Sequence, residues 1–254
     1  MYTVDLDNKV ILVTGASRGI GYQIAKDLIC NGASVAIHYN NNRTAAESLL
    51  ALDDRGRSKL FKANLSKETE VYRLYNDVSE YYKRVDTVIL NAGVFLPHSD
   101  ELQPNDWYGV WKKTIQINLN AVGLLTKLFL DHYLNEGQGR FIYMGSRAAF
   151  KGETSEYLAY AASKGGLTSL AKSVARSYGK KSITSFVIAP GFTRTDMVDQ
   201  FIRDHGEDKV LNEISLCKLT TPKDITPLVS IMSAGLLDHA TGATFDINAG
   251  SYIR

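Results

Sequence analysis

The sequence predicts an α/β fold of the doubly wound kind, a single domain in which a seven-stranded parallel sheet carries helices on both faces. Three observations predict it. Short β-branched runs alternate along the chain with longer helical patterns, as repeated strand–helix–strand units require. The runs are continuously apolar instead of alternating, as burial on both faces demands. At 254 residues the chain has a length at which such folds form one domain with an ample core, so 1–254 is read as one unit.

The first strand is 10–14, and a glycine-rich turn, TGASRGIG, follows it directly. A helix from about 19 to 30 places Ile20, Ile24, Ala25 and Leu28 on one face, and Gly32 stops it. Further strands are read at 34–39, 59–63, 87–90, 140–144, 184–188 and 244–247, with a helix at about 157–178. Ligands of such sheets bind beyond the carboxyl ends of the strands, where strand order reverses, so site residues are expected just after strands. Within 190–221, Met197, Val198, Phe201 and Ile202 recur at helical spacing amid polar residues. This stretch is read as a lid over substrate, the other reading being a surface helix packed on the domain.

Composition removes several classes of function. The formal charge is +2 and the basic residues are dispersed, so no cationic stripe for nucleic acid is present. Cys30 and Cys217 are the only cysteines; they build no disulfide framework and no metal spacing. His38, His98, His132, His205 and His239 form no pair at helical ligand spacing, so no metal is expected. The first strand begins too near Met1 for a secretory signal, and the apolar stretch 121–130, broken by Lys127, is too short to span a membrane. A cytoplasmic protein without a membrane or nucleic-acid partner is expected.

In the turn, Gly15, Gly19 and Gly21 let the chain reverse sharply and bring backbone N–H groups near a pyrophosphate at a helix N-terminus, as in Rossmann dinucleotide sites. Sites that prefer NAD place an acid at the end of the second strand to accept from the ribose hydroxyls. Here that stretch is Ile37-His38-Tyr39-Asn40-Asn41-Asn42-Arg43, with no acid. Arg18 in the turn and Arg43 past the strand are placed to meet a 2′-phosphate, which favours NADP, with Tyr39 and Asn40 beside them. Two solvated surface arginines are the other reading.

Tyr160 and Lys164 stand one helical turn apart in YLAYAASKGGL. An ammonium roughly 4 Å from a phenol contributes about 4 kcal/mol at an effective dielectric near 20, enough to bring tyrosine from about 10 to near 7. Acid–base catalysis at neutral pH works best with such a match. The rival Tyr157 has Ala161 four residues on and no cation at that spacing. By itself the pair is also what an exposed helix carries by chance. Its company points further: Ser146 follows the fifth strand, Asn91-Ala92-Gly93 ends the fourth and Pro190-Gly191 ends the sixth. A hydroxyl at such a strand end can hydrogen-bond a reacting carbonyl oxygen.

With TGASRGIG, NAG, Ser146, YAASK and APGFTRTDM in this order, the chain resembles the short-chain dehydrogenase/reductase family over essentially its whole length. The tail ATGATFDINAGSY resembles the closing strand of its 3-oxoacyl-carrier-protein reductase branch. The resemblance implies Tyr160 as general acid, Lys164 lowering its pKa and binding nicotinamide ribose, Ser146 orienting the carbonyl, and Asn118 holding a water that links Lys164 to solvent. It also implies cofactor contacts from Gly15, Ser17, Arg18, Ile20 and Gly21, from Asn64 and Leu65, from Asn91, Ala92 and Gly93, and from Pro190, Gly191, Thr193 and Thr195. Three departures stand out: Asn64 where the family often has aspartate, Leu90 where a first asparagine often precedes NAG, and an insertion at 152–156 beside the substrate.

The expected activity is NADPH-dependent reduction of a carbonyl to a hydroxyl, the substrate being a 3-oxoacyl thioester. For an acyl-carrier protein as partner, Arg147, Lys151, Arg194 and Arg203 are candidate rim cations, each also readable as a solvated charge. An alcohol, sugar or steroid dehydrogenase fits the same scaffold, and a non-catalytic NADP-binding protein is the reading from another class. Small residues Ala161, Ala162, Gly165, Gly166 and Ser169 let another helix approach closely; family likeness extends this to a dimer or tetramer.

Overall fold

Seven short strands pair side by side in the computed structural model, which describes residues 4–195, 202 and 206–254. They are β1 (Val10–Val13), β2 (Ser34–Tyr39), β3 (Lys59–Lys62), β4 (Thr87–Leu90), β5 (Gly139–Met144), β6 (Ile183–Pro190) and β7 (Thr244–Ile247). Every pairing is parallel, and the spatial order is β3-β2-β1-β4-β5-β6-β7. The chain runs outward from β1 to β3 and returns to lay β4 beside β1. The crevice at that reversal is where ligands of such sheets bind.

Alternation along the strands divides the core in two. Leu12, Ala36, Val88 and Phe141 face α3 (Glu68–Tyr82), α5 (Ala121–Glu136) and α7 (Leu158–Tyr178), packing with Leu74, Phe129 and Leu167. Val13, Ile37, Ile89 and Ile142 face α1 (Gly19–Cys30), α2 (Arg43–Leu50) and α9 (Pro222–Ser233), packing with Ile24, Leu28, Leu49 and Val229. The central strands are buried on both faces, as expected. The edge strands are not: Lys59 and Lys62 of β3 and Asp246 of β7 are exposed, because an edge strand must discourage further pairing.

Two local features position the site. α4 (Pro104–Ile115) runs into α5 through a π-helical turn, Gln116–Asn120, whose widened backbone leaves Asn118 fully buried. α9 starts at a reciprocal capping box, in which the Thr221 side chain accepts from the backbone of Asp224 and Asp224 accepts from the backbone of Thr221. Met197, Val198 and Phe201, central to the expected lid, lie outside the described residues. The ends of that stretch are tied together: Thr193 bridges to Thr220, and Arg194 N–H donates to Thr220 O at 2.8 Å. Between them lies the short helix α8 (Glu207–Leu211). No helix among the described residues is long and apolar enough to cross a membrane.

Candidate active site

The carboxyl ends of the central strands open on one cavity of about 480 Å³, within the usual range of small-molecule sites. The β1–α1 turn forms one end of it. Gly15 and Gly19 adopt φ of +67° and +54°, which favours glycine. A Cβ on Gly21 would lie 2.3 Å from both the Gly15 carbonyl oxygen and Asn91 Nδ2. Thr14 joins this turn to the β4 exit: its Oγ1 accepts from the N–H groups of Asn91 and Ala92 at 2.9 and 3.0 Å, and Asn91 Nδ2 donates to Thr14 O at 2.9 Å. The result is a backbone cradle against the cavity, with Gly19, Ile20 and Gly21 of α1 on its wall. A cradle that a Cβ would fill, at a helix N-terminus, fits the pyrophosphate of a dinucleotide.

His38, to which the sequence reading gives no role, braces the cradle from beneath. Gly15 N–H donates to its Nδ1 at 3.0 Å, which fixes the other nitrogen as the donor to Ala63 O, also at 3.0 Å. The ring thus ties the glycine turn to the end of β3. Burial holds the imidazole down at about 4, against the pull of the Ala63 carbonyl, so it is neutral at physiological pH.

At the other end, Tyr160 and Lys164 of α7 face the cavity beside Ser146 from the β5 exit. The Ser146 hydroxyl lies near enough to the Tyr160 phenol to favour its ionised form, and Ser146 Oγ accepts from Ala148 N–H at 3.1 Å. Phe95 stacks flat on Tyr157 at 3.8 Å and meets Tyr160 edge-on at 4.8 Å. That stack holds Tyr157 aside and leaves Tyr160 on the cavity wall. Lys164 Nζ donates to Met144 O at 2.7 Å and stands 5.6 Å from the centre of the Tyr160 ring.

This corrects one expectation. Burial dominates both groups, pushing the phenol up to about 12, with the Ser146 hydroxyl opposing and the Glu153 carboxylate reinforcing it. Burial likewise lowers the Lys164 ammonium to about 8. The phenol is not drawn toward 7, because both heads have lost water on burial and that loss dominates. At neutral pH the site therefore holds a protonated phenol near a protonated lysine. That is the form a proton donor needs.

A model of the family described as short chain dehydrogenase matches residues 9–206. The chain belongs to the short-chain dehydrogenase family. It is 31% identical over 248 residues to the 3-oxoacyl-[acyl-carrier-protein] reductase FabG of Staphylococcus epidermidis, covering 97% of this chain and 100% of that one. To the 3-oxoacyl-[acyl-carrier-protein] reductase of Synechocystis it is 29% identical over 248 residues, covering 96% and 97%. A short-chain dehydrogenase from Burkholderia cenocepacia, crystallised in complex with NADP, superposes with a TM-score of 0.87 at 29% identity over 97% of this chain and 98% of that one.

In this short-chain dehydrogenase the cavity wall holds nearly all the expected cofactor residues: Gly15, Ser17, Arg18, Gly19, Ile20 and Gly21 from the turn, Asn40, Asn64 and Leu65, Asn91, Ala92 and Gly93, and Pro190, Gly191, Thr193 and Thr195. Three of the expected residues are not on that wall. Tyr39 points into the α1–α2 side of the core, because strand alternation turns His38 and Asn40 toward the opposite side. Arg43 lies off the cavity wall and donates to Glu47 one helical turn on, at 2.7 Å. Asn118 is off the wall as well: its carboxamide accepts from Val94 N–H at 2.8 Å and donates to Val94 O and Ser163 Oγ at 2.9 and 3.1 Å. Its side chain fastens the β4 exit to the π-helical turn, and a Cβ on Gly93 would lie 3.3 Å from its Oδ1 and 3.7 Å from Lys164 Nζ, so both heads flank the same glycine.

The rim cations are engaged too. Arg147 Nη2 and Lys151 Nζ each donate to Glu213 Oε2 at 2.9 Å, and Arg194 pairs with Glu207; Arg203 lies outside the described residues. Glu153, from the insertion at 152–156, is a wall residue that residue spacing alone gives no reason to single out.

Proposed function

We propose that this short-chain dehydrogenase reduces a ketone to a secondary alcohol with NADPH, Tyr160 giving the proton. The observation that carries the reading is one cavity with the glycine cradle at one end and Ser146, Tyr160 and Lys164 at the other. The preference for NADPH rests on Arg18 at the cavity wall and on neutral Asn40, Asn41 and Asn42 where an acid would exclude a phosphate. The nicotinamide, when bound, supplies a hydride to the carbonyl carbon. Ser146 Oγ orients the carbonyl oxygen, and the Tyr160 phenol passes its proton to that oxygen as negative charge builds on it. The phenolate left behind is stabilised by the Lys164 ammonium until it is reprotonated.

Two substrate classes have support. The names of the relatives from Staphylococcus epidermidis and Synechocystis support a 3-oxoacyl thioester, while the engaged rim cations lend no help to an acidic carrier protein. Glu153 on the wall beside Tyr160 favours an alcohol or sugar dehydrogenase acting on hydroxylated substrates. Comparing NADPH and NADH affinity by calorimetry, then following NADPH loss with acetoacetyl thioesters and with hydroxylated ketones, tests both steps. Tighter binding of NADPH and turnover of at least one class are expected; tighter NADH binding, or no NADPH loss with any ketone, counts against the reading.

The reaction should also report the lysine. Because burial lowers Lys164 to about 8, the ammonium is complete below that pH and disappears above it, while the phenol, near 12, stays protonated throughout. Turnover in the reductive direction at saturating NADPH is expected to fall as pH rises through about 8. A profile level well beyond that point would remove Lys164 from the proton-transfer step.

A further inference from the structure

Glu153 occupies the loop between the short helix α6 (Ala148–Lys151) and α7, on the wall shared with Ser146, Tyr160, Phe95 and Phe192. Its two cationic neighbours are bound elsewhere, since Arg147 and Lys151 converge on one oxygen of Glu213. Among the described residues no side chain ion-pairs with Glu153. Glu213 absorbs the local positive charge, and Glu153 is left facing the cavity. It shares the cavity wall with the Tyr160 phenol, on which its charge acts. Burial pushes this carboxyl up, only partly offset by Arg147. A substrate that fills the cavity would strip its remaining water, at a cost unless the substrate brings a donor.

The donor is a hydroxyl and not an ammonium. Around this end of the cavity stand three cations, Arg147, Lys151 and Lys164, against two carboxylates, Glu153 and Glu213, so a further cation meets net repulsion. We propose that Glu153 is a specificity-determining residue that accepts a hydrogen bond from a hydroxyl on the carbon next to the reacting carbonyl. The pocket then takes α-hydroxy ketones and their diol products in preference to ketones flanked only by hydrocarbon. This rests on the reading of the cavity as a ketone-reducing site.

Acetoin and butanone, which differ by that hydroxyl alone, provide the test, with acetoacetyl thioester alongside. The intact wild-type chain is expected to show a kcat/KM at least ~10-fold higher for acetoin, the advantage of a hydrogen bond to a charged acceptor. Glu153→Ala should bring the two ketones to within ~2-fold, chiefly by raising KM for acetoin, and Glu153→Gln should fall between, because its oxygen still accepts without the charge. The wild-type ratio depends on no variant folding. NADPH oxidation with a wild-type ratio near one, or a preference that survives both substitutions, overturns the assignment and leaves the reductase reading standing. NADPH binding without oxidation by any ketone overturns the reductase reading and this one with it.

Discussion

Replacing Tyr160 with phenylalanine is expected to lower ketone turnover at least ~100-fold while NADPH affinity stays within about threefold. The ring itself is held by apolar contact: Phe95 meets it edge-on at 4.8 Å, and a phenylalanine keeps that contact. What is lost is the hydroxyl that stands beside Ser146 and, in this account, gives the proton. Without it the oxyanion forming on the carbonyl has only Ser146 and water to turn to. Because burial already holds the phenol at about 12, removing its hydroxyl strands no charge, so the fold should tolerate the change. Steady-state kinetics and NADPH titration on one preparation separate the two effects; turnover within a few-fold of wild type would take the proton-donor role from Tyr160.

The second large effect is at the opposite end of the cavity. Gly21→Ala puts a methyl group 2.3 Å from the Gly15 carbonyl oxygen and 2.3 Å from Asn91 Nδ2. Neither neighbour can yield easily. The first is backbone in a turn whose N–H is fixed to His38, and the second holds Thr14 O at 2.9 Å. Relief requires the turn and the β4 exit to part, which opens the cradle. Overpacking of this kind costs about 1–3 kcal/mol in stability, and NADPH affinity is expected to fall at least ~30-fold as the backbone donors lose their alignment. Gly109→Ala is the control: its Cβ would meet nothing within 4 Å, and thermal unfolding and NADPH titration should leave it at or slightly above wild type. Equal affinity in Gly21→Ala and wild type would separate the cradle from cofactor binding.

The strands and the glycine turn were legible because each is a local pattern: an apolar run long enough to cross a sheet, or glycines at a fixed spacing after one. The proximity of Tyr160 and Lys164 followed from helical spacing in the same way. Their titration did not, because burial comes from Met144, Phe95 and the packing around them, which lie far away in sequence. Alternation sets Tyr39 on the core side, since residues at 35 and 37 face the same way, while His38 and Asn40 line the cavity. Arg43 was likewise open to capture by Glu47 at i+4. Asn118 depended on a π-helical turn that apolar spacing does not signal. For Glu153 the insertion was visible in the length of the loop, but its direction was decided by Glu213, some sixty residues further along.

The measurement that tests the central claim most directly is transfer of label from NADPH deuterated at the hydride position, with the intact chain and a reducible ketone. The account predicts one deuterium on the carbinol carbon of the product for each NADPH oxidised, with the label absent when Tyr160→Phe replaces the wild type for the same time. NADPH that binds and remains unoxidised with every ketone class, or oxidation that leaves no deuterium on that carbon, would contradict it.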